Sequence, residues 1–210
     1  GLTHNNPWAL CDGQDDAKCA SKCFNRFLEG MDIQVELQNW ENWVSTRMRA
    51  SRDACEMVDL FLAPSRRLMA RHVNEFGIND SRIEYLDYGF DHSRLNGRAR
   101  ENEERFVFGY IGRHHPSKGI HDLIDAFSLL EGEPLLRVWG RAEGQVTQSL
   151  IRRANQPGSS AKRIEWLPEY ENENIIKEVF NRCDCVVVPS IWDENSPLVI
   201  HEAQQCGIPV

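Results

Sequence analysis

Nowhere does the sequence contain an apolar run approaching the roughly 18 residues that span a bilayer. Its first residues also lack the charged-then-apolar pattern of a secretory signal. The first absence excludes a transmembrane helix, and the two together make a cytoplasmic protein the expectation. The seven cysteines, Cys11, Cys19, Cys23, Cys55, Cys183, Cys185 and Cys206, include no Cys-x-x-Cys pair. An odd number of thiols without an export signal reads as reduced cysteine rather than a disulfide framework. Zinc held by Cys11, Cys19, Cys23 and His4 would require a spacing of seven and then three intervening residues, with no second half. No metal site is therefore expected. Positive charge is short as well: Lys and Arg total 24 against 32 Asp and Glu, a net charge of −8. That excludes a general nucleic-acid binder, which presents a basic surface to phosphates. Any anion bound here must be held by a local site. Internal repeats and low-complexity tracts are absent too.

What is present is the composition of a globular protein, 210 residues with 41% hydrophobic and 27% charged. The chain starts on Gly1-Leu2-Thr3-His4, which reads as the end of a strand, and stops at Gly207-Ile208-Pro209-Val210 as a new apolar segment begins. It therefore reads as a piece of a longer protein. Residues 1–30 are irregular. A helical pattern runs from Trp40 to Val58 and ends in the apolar run Leu60-Phe61-Leu62-Ala63. Ser65 suits an N-cap for a helix over 66–76, closed by Gly77. A strand over Ile83–Leu86 and a turn at Tyr88-Gly89 follow, and the polar stretch from His92 to Arg105 reads as a linker.

Beyond it the rhythm becomes regular. Strands are expected over Phe106–Ile111, Leu135–Trp139, Ile164–Leu167 and Cys185–Val188. Helices are expected over 120–131, 144–154, 171–182 and Pro197–Cys206. The first of these helices carries Ile120, Leu123, Ile124, Phe127 and Leu130 at helical spacing. Strands alternating with helices of this length predict a doubly wound α/β domain with a parallel sheet.

In such sheets ligands bind beyond the carboxyl ends of the strands, and two of those loops are chemically unusual. The first, Gly112-Arg113-His114-His115-Pro116-Ser117-Lys118-Gly119, places two cations between two glycines directly after a strand. A planar arginine fork and a mobile lysine charge together suit a phosphate; taken alone, the loop reads equally as a solvated turn. The second, Pro189 to Pro197, runs into the last helix, with Ser196 as N-cap and Pro197 at the first helical position. A helix N-terminus at the top of a parallel sheet is a ready anion site. Glu202, beside Ile200 and Ala203, is a carboxylate on a mostly apolar helix and needs a partner, for which sugar hydroxyls are suited.

These residues carry a resemblance. Gly112-Arg113 with Lys118-Gly119 and Leu123-Ile124-Asp125-Ala126-Phe127, followed by Val188-Pro189-Ser190 through Glu194, Pro197, Glu202 and Gly207-Ile208-Pro209-Val210, resembles the donor domain of the family 4 glycosyltransferases of GT-B fold (glycosyl transferases group 1). Glu194 and Glu202 reproduce that family's pair of glutamates with seven residues between them. Ala63-Pro64-Ser65 and Leu86-Asp87-Tyr88-Gly89-Phe90-Asp91 extend the likeness upstream, so it covers nearly the whole chain. It implies that residues 1–98 are the C-terminal part of an acceptor-side domain with its linker, and that 99–210 form a Rossmann-like nucleotide-sugar domain. It implies a retaining glycosyltransferase that uses a nucleoside-diphosphate sugar as substrate, with no cofactor and no metal ion. Arg113 and Lys118 would hold the donor diphosphate, helped by backbone N–H groups of Ser196, Leu198 and Val199. Glu202 would take the ribose hydroxyls, Glu194 would face the donor sugar, and His4 would line the reaction centre from the acceptor side. His4 is followed by Asn5 where the family has Asp, and Leu167-Pro168 stands where Leu-Gly is usual beside the base. The implied partners are the nucleotide sugar and a glycan or lipid-linked acceptor.

Arg47, Arg49, Arg52, Arg66, Arg67 and Arg71 concentrate positive charge in the first half and read as a solvated helix face. Docking on the inner face of an anionic membrane that carries a lipid-linked acceptor is the sharper alternative. A dinucleotide-dependent dehydrogenase fits the sheet pattern but needs Gly-x-Gly-x-x-Gly after the first strand, and Gly109 and Gly112 do not make that spacing. A non-catalytic nucleotide-sugar-binding module, or a degenerate glycosyltransferase, is the remaining alternative.

Overall fold

A computed structural model of the chain describes residues 16–23, 33–91, 93–156 and 163–210. The chain divides into two compact units, one running up to Tyr88 with the segment Trp192–Ser196, the other comprising Gly89–Ile191 with Pro197–Val210. No helix among the described residues is long and apolar enough to cross a membrane.

In the first unit, helix α1 (Ile33–Glu56) begins earlier than the Trp40 expected, because no glycine or proline interrupts residues 33–56. The apolar run after it is a strand, β1 (Phe61–Ala63), paired in parallel with β2 (Ile83–Tyr85) so that Phe61 faces Ile83 and Ala63 faces Tyr85. Between them lies α2 (Arg66–Phe76), with its N-cap at Ser65, whose hydroxyl accepts the Leu68 N–H at 3.2 Å, and its left-handed close at Gly77. Ala63, Ile78 and Ile83 form the small core, with Phe61, Met69 and Val73 packed against it.

In the second unit, β3 (Val107–Ile111), β4 (Leu135–Trp139), β5 (Ile164–Trp166) and β6 (Cys185–Val186) form a parallel sheet in the order β5-β4-β3-β6. Helices α3 (Ile120–Ser128), α4 (Gly144–Ala154) and α5 (Leu198–Gln205) complete it. Side-chain alternation on the strands separates two cores. Leu136 and Val138 pack with Ile120, Leu123, Ile124 and Phe127 of α3 and Leu150 and Ala154 of α4. Leu135 and Trp139 pack with Val179, Phe180, Ala203 and Ile208 on the opposite face. Both faces are covered, so every residue of β4 is buried, including Arg137, which is neutralised by Glu165 at 2.8 Å.

Two expectations are corrected here. The helix expected over 171–182 is broken into a 3-10 turn (Asn172–Asn174), a four-residue helix (Ile175–Glu178) and a second 3-10 turn (Phe180–Arg182). Arginines from elsewhere in the unit take up carbonyls in this segment: Arg98 donates to Phe180 O and Cys183 O at 3.0 and 2.9 Å, and Arg137 to Arg182 O at 2.8 Å. Charge-assisted donors outcompete the weak local helix propensity. The same bonds correct the reading of His92–Arg105 as a linker. Residues 93–105 are strapped to the second unit by buried Leu95, by Arg98, and by Arg100, which grips Asp184 at 2.5 and 2.8 Å.

If the strap is structural, Leu95→Ala lowers the free energy of unfolding by about 2–5 kcal/mol in a urea titration, whereas the same change in a tether would have almost no effect. Asp184 also accepts the Val107 N–H at 2.8 Å, and its hydrogen bond from Arg100 holds its carboxyl below the usual carboxylate range despite partial burial. A depressed folded-state value stabilises the protein above the unfolded pKa, and that contribution is lost as pH falls through the folded value. Asp184→Asn should therefore lower the melting temperature at pH 7, with a gap that closes as the melts are repeated below about pH 4. A gap independent of pH would show that the carboxylate charge is not what stabilises the fold.

Candidate functional site

Three loops meet at the carboxyl ends of the strands of the second unit. After β3, Gly112 donates its N–H to Trp139 O at 3.1 Å and His114 donates to Arg141 O at 3.0 Å, which zips this loop to the one after β4. The chain then makes a 3-10 turn over Pro116–Lys118 and leaves through Gly119 at φ 64°, the left-handed region that favours glycine. The Ile191 N–H donates to Ser117 O at 3.1 Å, joining the turn to the loop after β6. A β-carbon on Gly119 would run into the Pro189 carbonyl, and one on Gly140, at φ 125°, would run into the Gly112 carbonyl. The platform is thus fixed by main chain, at the place where ligands bind in open α/β sheets.

On this platform Lys118 is half-buried at the end of its turn, with its N–H donated to His115 O at 2.9 Å. Arg113 projects outward, 64% of its side chain exposed, and pairs with Glu143 at 2.8 Å. Between these elements His114 is buried. Its Nδ1 lies 3.1 Å from the Thr147 hydroxyl, which itself accepts the Glu143 N–H at 2.8 Å, and its ring meets Trp166 edge to face. Burial pushes the His114 pKa down, with the Glu143 charge opposing, so the imidazole is neutral at physiological pH. His114 supports the loop and adds no charge to it.

The last helix departs from expectation at its start. It begins at Leu198, with Pro197 rather than Ser196 at the N-cap and no side-chain cap bond. Proline has no donor or acceptor side chain to offer, and the Ser196 hydroxyl instead donates to Asp87 at 2.6 Å. Leu198 and Val199 therefore occupy the first helical turn, whose main-chain N–H groups have no intrahelical acceptor. Glu202 follows on the same helix as the one acidic residue among the buried polar side chains described, and it is paired with Arg94.

Arg113, Lys118, Leu198, Val199 and Glu202 thus lie in the second unit, while Glu194 and Ser196 fall in the segment that clusters with the first. Beside Glu194, Asp193 is paired with Arg71 and with Arg67, the latter at 2.8 Å. His4 and Cys11 lie outside the described residues. Cys19 and Cys23 are free thiols on one π-helical turn, and no cluster able to hold a metal ion occurs among the described residues. Sequence reading missed Glu143 and Arg94, the charged partners of two site residues; both are distant in sequence, and only the fold brings them near. The arginines read as a solvated face are partly engaged: besides Arg67 and Arg71, Arg66 lies over Tyr85 at 4.9 Å and Arg47 over Trp43 at 5.3 Å.

The profile of the family described as Glycosyl transferases group 1 matches residues 93–210, more than half of the chain. The D-inositol 3-phosphate glycosyltransferase of Mycolicibacterium smegmatis is 33% identical over 141 residues, covering 62% of this chain and 32% of that protein. The Mycobacterium tuberculosis (strain F11) protein of the same name is 33% identical over 110 residues, 51% of this chain and 22% of its own. The chain spans about a third or less of the length of these curated relatives. Among solved structures, HepE of Anabaena in complex with UDP matches with a TM-score of 0.66 at 23% identity, over 79% of this chain and 48% of that one. That similarity shows a fold of GT-B type, as expected from the sequence.

The close approach at Gly119 has a measurable consequence. Gly119→Ala combines a left-handed backbone with a collision against main chain and should destabilise by about 2–4 kcal/mol. Gly132→Ala, at φ 77° with open space around it, should lose only the backbone preference, about 1 kcal/mol. Equal losses in paired urea titrations would mean that the two loops are not in contact.

Proposed function

Because the chain belongs to the group 1 glycosyl transferase family, we propose that it serves the transfer of a sugar from a nucleoside-diphosphate sugar to an acceptor hydroxyl, with retention of anomeric configuration and without a metal ion. The observation that carries this reading is the main-chain junction of Ser117 with Ile191 and of Gly119 with Pro189. It joins the Lys118 turn to the segment that leads toward α5. Lys118 and Arg113 grip the diphosphate, and the N–H groups of Ser196, Leu198 and Val199 add donors to the distal phosphate. UDP is the ligand in the HepE structure, and a nucleoside diphosphate is the leaving group here.

Cleavage of the sugar–phosphate bond moves negative charge onto the leaving diphosphate. Fixed cations and the positive end of a helix interact more strongly with that charge than with the intact donor, and so lower the barrier selectively. These groups take the role that a divalent ion has elsewhere, and neither loop carries an Asp-x-Asp pair to bind one. Glu202 orients the ribose and Glu194 faces the donor sugar. His4, assigned by resemblance alone, lines the reaction centre. The acceptor is a glycan or a lipid-linked glycan.

Calorimetry with UDP, GDP and ADP tests the grip. Arg113→Ala and Lys118→Ala should each weaken the best-bound nucleoside diphosphate by about 10- to 100-fold, the range for losing one charge-assisted contact, with an unchanged melting temperature. Unchanged affinity in both variants would remove the diphosphate role. Transfer activity of the full protein should persist in EDTA, and a complete loss restored by magnesium or zinc would reject the metal-free mechanism.

A further inference from the structure

A carboxylate as buried as that of Glu202, with 7% of its side chain exposed, needs a fixed charged partner to offset its lost hydration. Arg94 is that partner. It lies on the 3-10 turn Ser93–Leu95, anchored by buried Leu95. Its Nη2 donates to Glu202 Oε1, and its Nη1 donates to the Asn172 carbonyl at 2.9 Å. One guanidinium therefore fastens three segments: the turn at 93–95, the loop that follows β5, and α5. The second carboxylate oxygen of Glu202, Oε2, accepts no hydrogen bond among the described residues.

The surroundings fix the protonation pattern. Tyr170 is near both partners; its hydroxyl is pushed up to about 12 by burial and then by the Glu202 charge, with Arg94 opposing. Tyr170 therefore keeps its proton. Cys206, one turn along the helix, is likewise raised, chiefly by burial and in part by Glu202. Among the described residues, Arg94 is hydrogen-bonded to Glu202 and its charge also acts on Tyr170 and Cys206.

We infer that Arg94 is a positioning residue for nucleotide recognition, holding Glu202 through Oε1 so that Oε2 is left as the acceptor for the ribose hydroxyls. The inference rests on the proposed role of Glu202 at the ribose. An ionised carboxylate only accepts hydrogen bonds, so a fixed one favours a sugar with hydroxyl donors over one without. Because the guanidinium holds the carboxylate in place before the nucleotide arrives, binding does not have to order it.

The test is a calorimetric titration of the protein with UDP, GDP and ADP, each beside its 2′,3′-dideoxy form. The wild type should prefer the ribose form of its best ligand by about tenfold or more, the range for leaving a buried acceptor unpaired. In Arg94→Ala that preference should collapse toward parity while affinity for the dideoxy form is unchanged, because the diphosphate contacts lie on other residues. Arg94→Lys keeps the charge without the fork, so it should recover part of the preference. Circular dichroism reports folding, and if Arg94→Ala does not fold, the same ratio is read in Arg94→Gln and Arg94→Lys. Loss of affinity by the same factor for both forms, or an intact preference in Arg94→Ala, would assign Arg94 to packing alone. A wild type with no ribose preference, or a Glu202→Ala variant that retains it, would remove the Glu202 role itself and the Arg94 role with it.

Discussion

At Gly119 the main chain of one loop passes so close to the Pro189 carbonyl of another that no side chain fits between them. The Ile191 N–H closes the junction on Ser117 O, and the Gly112 and His114 N–H groups tie in the loop after β4. The carboxyl ends of three strands thus share one rigid rim. A diphosphate is small and densely charged, so cations and N–H donors help it only if they converge within a few ångströms. Main-chain contacts give that convergence better than side chains do, because there are no rotamers to order.

Around this rim the second unit spends its arginines internally. Arg98, Arg100 and Arg137 donate to carbonyls and carboxylates of the broken segment and of β5, and Arg94 does the same for Glu202. Each is an ionised donor partly removed from water, where a hydrogen bond is stronger than at the surface and an unpaired one is more damaging. In a chain of net charge −8, Arg113 and Lys118 stand in the loop after β3, at the carboxyl end of the sheet. Arg113 itself is paired with Glu143, and at an exposed position such a pair is weak and readily exchanged.

The two glutamates of the family pattern differ in setting. Glu202 is buried and cation-paired, whereas Glu194 lies in a segment that groups with the first unit beside Asp193, the partner of Arg67 and Arg71. Only Trp192–Ser196 of the loop after β6 groups with the first unit; Ile191 and Pro197 on either side of it belong to the second.

Much of this was legible in the chain. The apolar runs of β3 and β4, helical spacing in α3, the Ser65 cap with the Gly77 close, and the two loops with their glycines and cations are local patterns, and local patterns survive into the structure because backbone sterics and side-chain periodicity act over a few residues. The broken helix at 172–182, the strap at 93–105, and the loss of Ser196 as a cap were not legible. In each case a polar side chain from far along the chain, an arginine or Asp87, captures a group that local rules had assigned elsewhere. The sequence by itself therefore determined the alternation of strands and helices, the loops that carry charge, and the family. Only the tertiary structure decided which acid meets which cation, since Glu143 with Arg113 and Glu202 with Arg94 are set by packing across long sequence separations, where no spacing rule reaches.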